Sequence, residues 1–143
     1  MRATTFAACL LTAGLFVAGP AFAETVNYAA TLDAASETPP NASKGTGTLK
    51  ATYDTATKML DWTVDYSGLT GEATAAHFHG PAPAGKSAGV MVPIKGSVAS
   101  PIKGSAPLTD AQAKALTDGD MYFNVHTKAN PGGEIRGQLE KAM

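Results

Sequence analysis

Cysteine is almost absent from this chain. Its single copy, Cys9, sits in an apolar N-terminal stretch. Everything after that stretch is therefore closed to disulfides, cysteine-ligated zinc, iron–sulfur clusters and blue-copper sites. Charge of one sign is lacking too: 11 Lys/Arg stand against 12 Asp/Glu. No basic block points to a nucleic acid, and no acidic run points to a disordered tail. Gly85-Lys86-Ser87-Ala88-Gly89 has Gly-x-Ser-x-Gly spacing, but it follows a Gly/Pro loop and not a strand, so it is no nucleophile elbow. No glycine-rich phosphate loop precedes a helix. Ser87 and Ser97 have no readable base partner. Asp61 and Asp65 share one strand face and read as solvated acids, not as a catalytic pair.

Long hydrophobic runs are also missing. The longest, from about Phe6 to Ala18, is too short for a membrane anchor. Arg2 precedes it, Pro20 breaks it, and Ala21-Phe22-Ala23 fits an A-x-A cleavage site. Residues 1–23 thus read as a signal peptide, cut after Ala23. Cys9 lies too early in the run to carry a lipid. The expected product is Glu24–Met143, one domain of about 120 residues. It is expected to be periplasmic or secreted, without a membrane anchor.

What is present is period-two alternation. Val26, Tyr28, Ala30 and Leu32 share a face, as do Gly47, Leu49, Ala51 and Tyr53. Leu60, Trp62, Val64 and Tyr66 alternate with Met59, Asp61, Thr63 and Asp65. Trp62 reads as a core anchor. Residues 35–44 have loop composition, with Pro39-Pro40 and a sequon at Asn41. Val90, Val92 and Ile94 predict a short strand, and residues 97–107 leave room for one more. One helix is expected. Thr109 caps it, Gln112 completes a capping box, and Gly119 ends it. The expected fold is all-β: an antiparallel Greek-key β-sandwich, immunoglobulin-like or superoxide-dismutase-like, with one short helix.

The end of the chain specifies a hairpin. Centred on Asn130, the pattern places Val125 opposite Ile135, Phe123 opposite Gly137 and Met121 opposite Leu139. On the other face it sets His126 against Glu134, Asn124 against Arg136 and Tyr122 against Gln138. Apolar partners fall on one side and polar ones on the other, which fixes the register.

Two of the three histidines lie in Ala76-His77-Phe78-His79-Gly80-Pro81. On a strand, residues i and i+2 project from one face. His77 and His79 then point one way, and Ala76 and Phe78 the other. A neighbouring strand can bring in His126. Three imidazoles suit zinc or copper and leave a position open. Glu134 is expected to orient the second ring nitrogen of His126 or to ligate the ion directly, with Asn124 and Arg136 as further surrounding residues.

Four motifs in order carry a family resemblance. They are residues 76–81, then Leu108-Thr109 leading to Leu116 and Gly119, then residues 122–127, then Asn130-Pro131-Gly132-Gly133-Glu134-Ile135-Arg136-Gly137-Gln138-Leu139. The sequence resembles a CHRD domain, the family named after chordin. The resemblance implies an extracytoplasmic β-sandwich with no established enzyme activity. Chordin's cysteine-rich modules are missing, so growth-factor antagonism does not carry over.

Three functions remain open. The first is a non-enzymatic binding domain with a histidine zinc or copper site, or an extracytoplasmic protein partner. The second is a mononuclear metal enzyme. Copper/zinc superoxide dismutase offers the same His-x-His strand, but its two-metal site needs more histidines than this chain has. The third is a structural or adhesive module whose histidines serve the fold.

Overall fold

The computed structural model describes residues 22–143, and the predicted leader lies almost wholly outside them. The elements are β1 (Thr25–Asp33), β2 (Thr46–Asp54), β3 (Met59–Ser67), β4 (Ala73–His79), β5 (Val90–Pro93), β6 (Ile102–Pro107), α1 (Asp110–Asp118), β7 (Tyr122–Thr127), β8 (Ile135–Gln138) and β9 (Glu140–Lys141). Every strand pairing is antiparallel. Among the described residues, no helix is long and apolar enough to cross a membrane.

Strand order is β5-β4-β7-β8-β1-β2-β3-β6, with β9 beside β1. The path folds into two layers, β1-β2-β3-β6 and β5-β4-β7-β8. One residue pair, Asp33 with Arg136, joins β8 to β1. Strands β1-β2-β3 form a meander, and β8 returns near the end of the chain to lie beside β1.

Alternation decides which face is core. In β1 the buried residues are Val26, Tyr28, Ala30 and Leu32, and in β2 they are Gly47, Leu49, Ala51 and Tyr53. In β3, Leu60, Trp62 and Val64 are buried. The layers meet where Trp62 packs edge-on to Phe78, with ring centroids 5.1 Å apart. Phe78 in turn packs on Phe123 at 4.8 Å. Such aromatic pairs add about 1 kcal/mol each beyond their burial.

The helix has both halves of its capping box, and Gly119 closes it at φ 80°. A left-handed C-cap favours glycine, which has no Cβ to clash. Gln112 also donates to the Met91 carbonyl at 2.8 Å, tying the helix to β5. In β5 only Val92 is buried, while Val90 is exposed. The alternation expected through Val90, Val92 and Ile94 is interrupted because the β4–β5 register shifts between Phe78 and His79.

Candidate metal centre

The outer face of β4-β7-β8 is polar but largely covered. Register sets His79 opposite Tyr122 and Tyr122 opposite Gln138; it likewise sets His77 opposite Asn124 and Asn124 opposite Arg136. Their neighbours in sequence, Ala76, Phe78, Phe123, Val125 and Ile135, line the core. The loops before β2 and after β4 fold over the polar face. His79, Asn124, His126 and Arg136 are consequently buried.

The structure brings the three histidines together. One ring nitrogen from each of His77, His79 and His126 lies within 4.8 Å of the others. His77 Nδ1 and His126 Nε2 are 3.0 Å apart. Two nitrogens sharing a tetrahedral zinc at 2.0–2.1 Å would be about 3.3 Å apart, so this pair is already at ligand spacing. The Pro131 carbonyl lies 2.9 Å from His126 Nδ1 and accepts its proton. The Nε2 lone pair then faces His77, the tautomer that a metal ligand needs.

His79 is held differently. Its Nδ1 is 3.0 Å from the Ala88 carbonyl, and its Nε2 is 2.9 Å from Asn124 Oδ1. A neutral imidazole has one proton and can donate to only one of them. Joining the other two rings on an ion requires His79 to give up a contact. Burial lowers the His79 pKa below the ordinary histidine value, although the bonds to Ala88 and Asn124 act the other way. Burial also lowers His77, reinforced by the charges His126 and His79 would carry. Both rings thus favour the neutral, ligating form.

The surrounding residues divide. Asn124 touches the site, but through His79 and not His126. Arg136 makes no hydrogen bond to a histidine; its guanidinium lies 3.4 Å from the centroid of the Tyr122 ring. Tyr122 stacks on His79, with centroids 4.9 Å apart.

Glu134 is elsewhere altogether. The ladder holds from Tyr122–Gln138 to Val125–Ile135, then Glu134 N donates to the Val125 carbonyl. That extra residue at the turn swings Glu134 away from His126 and onto the face of Thr127. Its carboxylate accepts from Ser43 Oγ, Thr70 N, Thr70 Oγ1, Thr127 Oγ1 and Asn130 Nδ2. Burial pushes its carboxyl up, but the bonds from Ser43, Thr127 and Thr70 more than offset this and hold it at about 2. Asn41 of the sequon donates to the Glu134 carbonyl at 3.0 Å.

A family model for the CHRD domain matches residues 28–139. The chain belongs to the CHRD family. The match runs from β1 to the end of β8, so this is a single CHRD domain with all three histidines inside it. No curated protein and no solved structure matches the chain.

Two residues around the CHRD histidines carried no readable signal: Tyr122, which stacks on His79, and Glu37, which reaches His79 only through Asn124. Tyr122 was expected only as a cross-strand partner of Gln138. Glu37 sits in the loop before β2, where composition indicates a turn and nothing more.

Proposed function

We propose that this CHRD domain is an extracytoplasmic, non-enzymatic binding domain that holds one zinc or copper ion through His77, His79 and His126. The observation that carries the reading is the convergence of three imidazole nitrogens within 4.8 Å. The His126 tautomer fixed by Pro131 supports it, because the free Nε2 is turned toward His77. An all-nitrogen donor set without thiolate or nearby carboxylate suits these borderline ions. Export is part of the reading and rests on the Ala21-Phe22-Ala23 site.

Calorimetric titration of the mature protein with zinc and with copper(II) tests the site. One ion per chain is expected, with binding lost in a His77→Ala/His79→Ala variant. Equal affinity in that variant would sink the reading. A competing role favours structure for His79 alone, since Ala88 and Asn124 already occupy both its nitrogens. On that view His79→Ala lowers stability and leaves metal affinity unchanged.

A further inference from the structure

Glu37 and Arg136 are both withdrawn from solvent, at 7% and 2% exposure. They nevertheless close no ion pair; among the described residues the ion pairs are Lys58–Asp110 and Lys114–Asp118. Arg136 reaches Thr38 Oγ1 at 3.4 Å, the Pro83 carbonyl at 3.5 Å and Gln138 Oε1 at 3.4 Å. All three are longer than an ordinary N–H···O bond. Glu37 Oε1 has no hydrogen-bond partner. Burial pushes the Glu37 carboxyl up, while the Arg136 charge and the Asn124 amide hold it down. The Asn124 amide and the Thr38 backbone bond the Glu37 carboxylate but leave one oxygen unpartnered, and the Arg136 guanidinium has only long hydrogen bonds beside its stacking on Tyr122. A buried carboxylate and a buried guanidinium left incompletely bonded and not paired together are costly to keep.

Both residues line one cleft of ≈ 360 Å³, between residues 35–40 and Ala84-Gly85. That volume is in the range of small-molecule sites. A ligand bearing only a carboxylate would place a second anion beside Glu37. One bearing only an amine would place a second cation beside Arg136. A molecule carrying an acceptor anion and a donor on adjacent atoms answers both groups at once.

We propose that this cleft binds a small α-amino or α-hydroxy acid, with its carboxylate on Arg136 and its amino or hydroxyl group donating to Glu37. None of the three histidines lines this cleft, and the proposal does not require a metal at them.

The test is a titration of the purified protein, without added metal, by calorimetry and by amide NMR. The matched probes are alanine, lactate, propionate and ethylamine. Alanine or lactate is expected to bind at least about tenfold more tightly than propionate and ethylamine. Ala84→Trp, at an exposed cleft residue, should weaken that binding by a similar factor while leaving the melting curve unchanged. Glu37→Gln should weaken alanine more than lactate, since a hydroxyl can still donate to the amide oxygen. Absence of binding by both alanine and lactate overturns the proposal. So does propionate binding as tightly as lactate, or indifference of the binding to Ala84→Trp.

Discussion

The indole of Trp62 fills the space that a side chain at residue 104 would need. Gly104 is its cross-strand partner, and a Cβ there would lie 2.5 Å from Trp62 Cζ2 and 2.7 Å from Cε2. The ring cannot retreat freely, because Phe78 packs against it from the other layer. Gly104→Ala is expected to destabilise the domain by about 2 kcal/mol, the usual scale of overpacking. Thermal and denaturant unfolding would measure it. In a Trp62→Leu background the same change should cost much less, a coupling that a double-mutant cycle reads directly.

Glu134→Gln should be severe although the shape is kept. Thr70 N–H and Asn130 Nδ2 both donate to the carboxylate, one to each oxygen. An amide puts a donor against one of them, at a fully buried position. A loss of about 3 kcal/mol is expected, as for a buried charged hydrogen-bond acceptor. The pH dependence has a definite sign. The folded pKa, about 2, lies below the ordinary carboxylate value. The stabilisation is complete above that ordinary value and fades as pH falls toward 2. The Gln variant should lack this acid-sensitive component, and equal acid slopes in the two proteins would contradict the assignment.

Metal affinity should fall as pH drops, because only neutral imidazole ligates. Burial lowers His77 and His79 relative to free histidine. Protonation of these two rings should therefore weaken binding only below the free-histidine value of about 6.5. In the metal-free protein the same shifts act on folding. The folded state binds fewer protons than the unfolded chain, so stability declines as pH falls through the histidine range. His126→Ala should weaken binding by about 100-fold or more, given the energy a structural site draws from each ligand. His79→Ala should cost less, since that ring must first leave Asn124 or Ala88. Calorimetry across pH 5–8 checks the order; a reversed order would mean that His79 anchors the ion.

Gly133→Ala should disturb the hold on His79 from a distance. At φ 130° the position suits glycine, and a Cβ would lie 2.3 Å from Glu37 Oε1 and 2.7 Å from Asn124 Nδ2. Displacing that amide releases Oδ1 from His79 Nε2. A changed His79 imidazole resonance in NMR, beyond any fall in stability, is the expected signature. An unaltered resonance would show that Asn124 does not depend on this packing.

Much of the scaffold was legible because one face of each long strand is buried. Leu32, Leu49 and Leu60 each fall in unbroken alternation, and a one-residue slip would expose them. Thr109, Gln112 and Gly119 marked the helix through local hydrogen-bonding chemistry, which needs no knowledge of the rest of the fold. The pairing of Asn124 with Arg136 followed from matching the two faces of β7 and β8. The same reasoning failed one step later at Glu134. A single extra residue at a turn leaves composition unchanged and reverses the side chain. Glu37 was invisible for a related reason: a loop has no period, so nothing in its sequence says which residue turns inward.

Glu134 also bears on how a chain with so little cysteine is held. Its one carboxylate gathers the segments around Ser43, Thr70 and Asn130, which lie far apart in the sequence. Small exported domains commonly leave such long-range fastening to disulfides. A covalent staple answers to the redox state of its compartment and must be formed by oxidation. This polar clasp forms with the fold itself, is indifferent to reductants, and is released by acid.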